Sequence, residues 1–231
     1  MFINLKDNTK IYLEISGEGF PLILLHGNAQ SNTYFKKQIE AFQESYQVIR
    51  IDFRGHGKST NRGNQFSLKK FSEDLKEIVD TLKIKRFDLL GFSDGANVAM
   101  YFAVNHPQMV NSLVLNSGNI SINGLFWVSK AATEISILLA YLCFWQPELP
   151  KIRKLMRESL TISFADLERI TAKTLVLIGQ FDIIKRQHSQ KIANSIPNAI
   201  LKVVPWALHD IAYLQPQKFN RIVLKFLKAS V

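Results

Sequence analysis

The sequence of 231 residues has only one cysteine, Cys143, and no long apolar run. A single thiol cannot form a disulfide within the chain, so a disulfide-stapled fold is excluded. The longest apolar stretch covers residues 135–145, which is too short for a helix that crosses a bilayer. The first residues lack a basic region followed by an apolar core, so we expect no signal peptide, a cytoplasmic location and no stable membrane insertion.

Motifs for metals, phosphates and nucleic acids are also missing. The histidines do not pair at the spacing of metal ligands, and the Gly-rich residues 55–57 lack the Walker pattern, so we expect no metal and no cofactor. The formal net charge of +10 is compatible with nucleic acid or an anionic membrane surface as a partner. Because lysines and arginines are scattered and no nucleic-acid motif accompanies them, we expect a solubilising surface and no nucleic-acid partner.

Short apolar runs alternate with amphipathic segments along most of the chain. Residues 2–15 are predicted to form two short strands around a turn. Further strands are predicted at residues 22–25, 46–53, 86–90, 112–116, 174–178 and 200–204. Helices are predicted at residues 31–44, 67–83, 93–106, 188–196 and 216–229. This order predicts an α/β fold with a mostly parallel central sheet and helices on both faces.

Residues 119–169 interrupt this pattern with no strand and at least two helical patches. The first patch, residues 125–145, is aromatic and aliphatic, and the second, residues 150–160, is basic. We therefore predict a core formed by residues 1–118 and 170–231, with a helical lid inserted between them.

The apolar part of this insertion is predicted to contact the substrate. Its helix carries more apolar surface than a free-standing helix leaves in water. The alternative is that these side chains only pack the lid onto the core. The side chains predicted to line a substrate pocket are Phe126, Trp127, Leu138, Leu142 and Trp145.

The sequence Gly-Phe-Ser-Asp-Gly at residues 91–95 lies between a predicted buried strand and a predicted helix. Such a tight turn needs glycine at both ends, because side chains there would collide with neighbouring backbone. The turn lifts the Ser93 hydroxyl above the sheet edge, where a base can reach it. The following helix directs its free N–H groups at negative charge that forms beside the serine. Ser93 is therefore predicted to be a nucleophile.

Two further groups follow predicted strands later in the chain. Asp182 and His209, like Ser93, come just after a strand, and a parallel sheet brings such positions to one edge. A serine hydroxyl needs an adjacent base, which His209 would supply while Asp182 orients its ring. Asp210 is the alternative acid, but it is adjacent to the histidine in sequence and badly placed for that role. Residues 115–118, after another strand, hold no carboxylate.

Two backbone N–H groups are predicted to hold an oxyanion. They belong to Asp94, directly after the nucleophile, and to Asn28, which follows His26 and Gly27. The Asp94 side chain is expected to form local hydrogen bonds. The alternative is that the Asp94 side chain faces the pocket as a negative group that favours cationic substrates.

Together these motifs resemble those of an α/β-hydrolase of the compact esterase and acyl-hydrolase type. The resemblance covers residues 9–118 and 170–229. Its motifs are the oxyanion loop at 25–28, the Gly-rich loop at 52–59, the nucleophile turn at 91–95, the acid strand at 175–182 and the loop of His209. The resemblance implies an α/β-hydrolase fold with an inserted lid, and structural roles for His26 and His56.

Two positions depart from the family pattern. Lys173 stands where the family often has proline before the acid strand, and Leu208 stands where glycine is common before the histidine. The turn before His209 is therefore expected to differ slightly. A serine nucleophile in place of aspartate argues against the dehalogenase and epoxide-hydrolase branches.

The resemblance implies a serine hydrolase that cleaves a small to medium carboxylic ester or thioester through an acyl-enzyme. The same triad also supports carbon–carbon bond hydrolysis, a lyase reaction or perhydrolysis, and the fold also hosts non-catalytic ligand-binding proteins. A third class of function is a membrane-surface protein, which would use its basic charge and its apolar lid. Because the chain is short for this fold, we expect a compact pocket with a preference for butyryl to hexanoyl esters.

Overall fold

The computed structural model describes residues 1–63 and 65–229, and these residues form a central sheet of eight strands. The strands are β1 Phe2–Asn4, β2 Lys10–Ser16, β3 Phe20–Leu25, β4 Tyr46–Ile51, β5 Phe87–Phe92, β6 Val110–Asn116, β7 Lys173–Gly179 and β8 Ala199–Val204.

The strands lie in the order β1-β2-β4-β3-β5-β6-β7-β8. The first two pairs, β1–β2 and β2–β4, are antiparallel, and every neighbouring pair from β4 to β8 is parallel. This arrangement confirms the predicted α/β fold with its mostly parallel sheet. Parallel neighbours end at the same sheet edge, so the segments that follow β3, β5, β7 and β8 meet there.

The helices flank this sheet. They are α1 Ile39–Gln43, α2 Leu68–Thr81, α3 Asp94–Asn105, α4 Trp127–Ala140, α5 Leu149–Lys154, α6 Arg186–Ser195, α7 Ile211–Leu214 and α8 Pro216–Lys228. Helices α2, α3, α6 and α8 lie within two residues of the predicted bounds, α4 and α5 end earlier than the predicted helical patches, and α7 has no counterpart among the predictions.

The predicted helix at residues 31–44 is wrong as a continuous element. The chain forms a 3-10 turn at Asn32–Phe35 and then the short helix α1. The physical reason is a tertiary contact. Asp52 Oδ1 accepts hydrogen bonds from the Asn32 backbone N–H at 2.6 Å and from its side-chain Nδ2 at 2.9 Å. This contact fixes the first turn on the loop after β4 and prevents a straight helix.

The core lies on both faces of the sheet, because side chains alternate along each strand. On one face, Leu25 of β3 packs in the same cluster as Phe102 of α3. On the other face, Leu24 packs with Phe42 of α1 and Phe219 of α8. Helices therefore cover both faces, and only the sheet edges remain open for a site.

A buried ion cluster anchors the loop after β4. The Arg54 guanidinium donates to both carboxylate oxygens of Asp74 on α2, at 2.5 and 2.6 Å, and to Asp7 in the β1–β2 turn at 2.9 Å. Arg54 is fully buried. Burial lowers the pKa of Arg54, but the bonds and charges of Asp74 and Asp7 outweigh it and raise that pKa. The cluster therefore ties the Gly-rich loop to a helix and to a turn.

The segment between β6 and β7 contains α4, α5 and several 3-10 turns. Leu155, Leu160 and Ile162 of this segment join the main core cluster. A bridge between Leu125 and Ile184 attaches its start to the loop after β7. None of the helices in the described ranges is long and apolar enough to cross a bilayer. The division into a core and a lid at residues 119–169 stays a prediction.

Replacing Asp74 with alanine should lower the free energy of unfolding by about 3–5 kcal/mol, because the buried Arg54 charge loses its main partner. Urea unfolding followed by circular dichroism measures this change. Asp80→Ala is the matched control, because Asp80 lies on the same helix in an exposed ion pair with Lys76. That variant should lose no more than about 0.5 kcal/mol. Equal losses in the two variants would contradict the anchoring role.

Candidate active site

Strand β5 ends in a strained turn that carries Ser93. This residue has φ 53° and ψ −120°, a backbone conformation that residues other than glycine rarely adopt. A Cβ atom on Gly91 would lie 2.2 Å from the Gly95 carbonyl oxygen, and one on Gly95 would lie 2.1 Å from the Leu25 carbonyl oxygen. Neither position has room for a side chain. The two glycines thus let β5, α3 and β3 approach closely enough to hold the serine at the sheet edge.

The structure brings the three predicted side chains together in one hydrogen-bonded chain. His209 Nε2 lies 3.2 Å from Ser93 Oγ, and His209 Nδ1 lies 2.8 Å from Asp182 Oδ1. The Asp182 side chain is almost fully buried, while that of His209 is partly open to solvent. The imidazole also packs against the Phe92 ring, with ring centroids 4.9 Å apart. The Tyr34 ring in turn stacks on Phe92, with ring centroids 4.5 Å apart. Ring contacts and hydrogen bonds together fix the imidazole orientation.

The Asp182 carboxylate is surrounded by donors. Its Oδ2 accepts from the Ser117 hydroxyl at 2.6 Å, and its Oδ1 accepts from the Ile184 N–H at 3.1 Å. Burial raises the pKa of Asp182, but the bond and charge of His209 and the bonds from Ser117 and Ile184 outweigh it. The pKa therefore lies below its ordinary value of 3.8. An ionised Asp182 accepts the Nδ1–H of His209, which leaves Nε2 as the proton acceptor.

Ser117 is a residue of this site that the sequence analysis missed. It follows β6 directly, with φ 56°, and its N–H donates to the Leu177 carbonyl at 2.8 Å. This bond turns the hydroxyl toward Asp182. A sequence signal for Ser117 does exist, because it directly follows a parallel strand that ends at the same sheet edge as the triad. At that position the sequence was searched only for a carboxylate, and none is present there.

The two predicted oxyanion donors lie side by side and their side chains are bonded. Asn28 Nδ2 donates to Asp94 Oδ2 at 2.9 Å and to the Ile152 carbonyl of α5 at 2.7 Å. In the described part of the chain, neither the Asn28 nor the Asp94 backbone N–H donates to another group. Both N–H groups are therefore available to a ligand, and their role in an oxyanion hole stays a prediction.

The Asp94 carboxylate is buried and forms the local hydrogen bond that the sequence analysis expects. Burial raises the pKa of Asp94, and the bond from Asn28 and the charges of His209 and Arg153 oppose this rise. The Arg153 guanidinium of α5 also reaches the Asn28 side chain, with Nη1 3.4 Å from Oδ1. The inserted segment thus contacts the loop after β3 through two neighbouring residues.

Two other histidines connect loops away from the triad. His26 is fully buried, and burial together with the charge of His56 lowers its pKa to about 3. The neutral ring donates from Nδ1 to the Gly27 carbonyl at 2.8 Å and accepts at Nε2 from the Phe53 N–H at 3.1 Å. Burial lowers the pKa of His56 to about 4.

Within residues 1–63 and 65–229, no three His, Cys, Asp or Glu side chains form a group that could hold a metal ion.

A cavity of about 900 Å³ opens beside the triad. It is lined by the loop after β3, the Gly-rich residues 55–57, residues 146–149 with Ile152, and Asp210 with Tyr213. The lining includes Ala29, next to Asn28, and Asp210, next to His209, but none of the three triad side chains. The cavity therefore adjoins the triad and is bounded on one side by the inserted segment.

The side chains predicted to line a substrate pocket do not line this cavity. They are Phe126, Trp127, Leu138, Leu142 and Trp145, with exposed fractions between 47% and 78%. Helix α4 instead buries Thr133, Ile137 and Ala140. The physical reason is that apolar side chains lie on two separate faces of α4, so the sequence does not mark which of them packs on the core. The part of these five residues in a substrate pocket stays a prediction.

Comparisons with known proteins agree with the fold. The family model described as alpha/beta hydrolase fold matches residues 21–132. A relative from Caulobacter sp. (strain K31), provisionally named as the carbamate hydrolase RutD, is 25% identical over 89% of this chain and 90% of its own length. The (E)-2-((N-methylformamido)methylene)succinate hydrolase of Acinetobacter baylyi is 30% identical over 58% of this chain and 49% of its own length.

Solved structures share the same architecture. The esterase EaEST from Exiguobacterium antarcticum superposes with a TM-score of 0.85 at 23% identity, over 98% of each chain. The meta-cleavage product hydrolase CumD from Pseudomonas fluorescens IP01 superposes with a TM-score of 0.84 at 21% identity, over 100% of this chain and 98% of that one. At these identities the likeness establishes the fold.

The lowered pKa of Asp182 predicts a dependence of stability on pH. Its ionised form is stabilised in the folded state, so its contribution is fully present above the ordinary pKa of 3.8 and is lost as pH falls through the lower folded pKa. The difference in unfolding free energy between the natural chain and Asp182→Asn should therefore shrink as pH falls below about 4. Urea unfolding of both proteins from neutral to acid pH measures it. A difference that grows toward acid would contradict the lowered pKa.

Proposed function

Because this chain belongs to the α/β-hydrolase superfamily, we propose that it is a hydrolase whose nucleophile is Ser93. Its substrate is a small to medium carboxylic ester or thioester, which it cleaves through an acyl-enzyme. The single observation that carries this proposal is the continuous hydrogen-bonded chain from Ser93 through His209 to Asp182. A serine held in a strained turn at one end of such a chain is the arrangement that activates a hydroxyl.

The reaction begins when Ser93 Oγ attacks the carbonyl carbon of the substrate. His209 Nε2, 3.2 Å away, takes the hydroxyl proton, and the imidazolium is stabilised by the carboxylate of Asp182. The same proton then passes from Nε2 to the leaving oxygen or sulfur, and the alcohol or thiol departs. A water molecule, deprotonated by the same nitrogen, then attacks the acyl-enzyme. The bond between the acyl carbon and Ser93 Oγ breaks, Nε2 returns the proton to Oγ, and the acid departs.

The developing oxyanion needs donors that are fixed before the reaction begins. We assign this role to the backbone N–H groups of Asn28 and Asp94. The bond between their side chains supports the assignment, because it holds the loop after β3 against the first turn of α3. The partial positive charge at the start of that helix adds to the stabilisation.

The inserted residues 119–169 are proposed to act as a lid on the core. Support comes from the contacts of α5 with the oxyanion loop, where the Ile152 carbonyl accepts from Asn28 and Arg153 lies alongside. Residues 146–149 also form one wall of the cavity next to the triad. Polar and charged groups line much of that cavity, including His56, Glu148 and Asp210. It therefore suits a substrate part with polar substituents more than a long alkyl chain.

A fluorophosphonate probe should label Ser93 and no other serine. The Ser93→Ala variant should lose labelling, and its kcat on nitrophenyl esters should fall by about 10⁵-fold or more while the fold is retained. Intact-mass and peptide mass spectrometry locate the label. Ser159→Ala, which alters an exposed serine of the inserted segment, is the control and should label like the natural chain.

The same assay series tests substrate size. Across nitrophenyl esters from acetyl to palmitoyl, kcat/KM should rise to about butyryl or hexanoyl and then fall, because added methylenes are favourable only until the pocket is filled. Retention of most activity in Ser93→Ala would overturn the nucleophile assignment. A steady rise out to palmitoyl would overturn the compact pocket.

Asp182→Asn should reduce kcat by about 10⁴-fold, because the amide no longer holds the reactive tautomer of His209. Asp210→Asn is the matched control, since Asp210 neighbours the same histidine in sequence but its carboxylate is not bonded to the ring. Steady-state kinetics on nitrophenyl butyrate compares the two. A silent Asp182→Asn together with a damaging Asp210→Asn would identify Asp210 as the acid.

A further inference from the structure

Helix α4 carries large apolar side chains on its open face. It buries Thr133, Ile137 and Ala140 against the rest of the protein. At 3.6 residues per turn, the large apolar side chains outside this face fall in one sector of about 120°. They are Trp127, Val128, Ile135, Leu138 and Leu139, and each is more than half exposed. A helix face of this composition marks an interaction surface rather than a solvated one.

Aromatic side chains extend this face. Leu142, Phe144 and Trp145 follow α4 and are also exposed, with Phe144 at 85%. The chain has three tryptophans, and Trp127, Trp145 and Trp206 are 78%, 66% and 77% exposed. Tryptophan at high exposure is uncommon in globular proteins, whereas its amphipathic ring is favoured at the boundary between lipid and water.

The apolar face continues toward the edge of the sheet that carries the triad. The Phe126 N–H bonds to the Ile183 carbonyl at 3.2 Å, which joins the start of α4 to the loop after β7. Phe181 in that loop lies 6.0 Å from Trp206, ring centroid to centroid, and both side chains are exposed. Phe181 immediately precedes Asp182, and Trp206 lies three residues before His209. The apolar surface and the triad therefore lie at the same end of the molecule.

Basic side chains border this surface. Lys130 lies on the flank of α4, and the Lys154 ammonium lies 5.5 Å from the ring of the exposed Tyr141. Glu134, on the same flank, is neutralised by its ion pair with Arg157. The whole chain carries a formal charge of +10, so two copies that met through this surface would repel each other. An anionic surface would be attracted instead.

We propose that α4, residues 142–145 and the exposed rings of Phe181 and Trp206 form a docking surface for an anionic lipid membrane. The helix lies in the interface, with its open face toward the acyl chains and its flanking lysines at the phosphate level. Its 14 residues rest on the bilayer without spanning it. Docking through this surface turns the triad end of the protein toward the membrane, so substrates dissolved in lipid reach the site from that side.

The natural full-length chain should co-sediment with vesicles of equimolar phosphatidylcholine and phosphatidylglycerol at low salt. Its tryptophan emission should shift to shorter wavelength on binding, because all three indoles lie on the proposed surface and leave water together. Raising the salt from about 50 to about 500 mM should weaken binding, since the electrostatic part is screened. Vesicles of phosphatidylcholine alone should bind at least several-fold more weakly.

The Leu138→Glu variant should reduce the vesicle partition coefficient by about tenfold or more, because it places a charge in the middle of the apolar face. Ile200→Glu is the matched control, since Ile200 is also an exposed aliphatic residue but lies at the far end of β8 from Trp206. That variant should bind vesicles like the natural chain. Circular dichroism and thermal unfolding of both variants verify that the fold is intact.

Absence of vesicle binding in the natural chain, or equal loss in the two variants, would overturn the proposal. So would a dimer in analytical ultracentrifugation that Leu138→Glu dissociates, because the surface would then be covered by a second copy. None of these measurements requires turnover. A chain that binds vesicles but hydrolyses no ester would refute the proposed function alone, and one that hydrolyses esters but ignores vesicles would refute this surface alone.

Discussion

The contact on which the site depends is the approach of helix α3 to strand β3. Gly95 lies so close to the Leu25 carbonyl that a Cβ atom has no room. This closeness lets the chain leave β5 in a single strained residue, Ser93, and start a helix at once. A bulkier residue at 95 would push the helix outward and carry the serine away from His209. The packing of two glycines therefore sets the position of a hydroxyl, and the other side chains of the site are arranged around that position.

The sequence was sufficient to predict the sheet, most helices and the three side chains of the hydrogen-bonded chain. These features depend on local patterns and on one topological rule. Apolar runs mark strands, and the ends of parallel strands converge at one edge. Ser93, Asp182 and His209 each follow a strand directly, so their meeting needed no knowledge of loop conformations. Their roles remain the subject of the experiments above.

Other features depend on contacts between distant parts of the chain, which no local pattern records. Ser117 supports Asp182 through a hydroxyl whose direction is set by a backbone bond to β7. Asn32 breaks a predicted helix because Asp52 binds it. The face of α4 that packs on the core was unpredictable for a different reason. Apolar side chains of α4 lie on two separate faces, and hydropathy alone does not tell which of the two packs on the core.

The side chain of Asn28 joins the core to the inserted segment. Its side-chain amide spans from Asp94 in the core to the Ile152 carbonyl in the inserted segment, and its own backbone N–H is one of the two proposed oxyanion donors. Any excursion of α5 that opens the cavity must break this bond and release the loop that carries the N–H. On the proposed oxyanion role, opening of the cavity and stabilisation of the transition state would exclude each other, because both depend on this one amide.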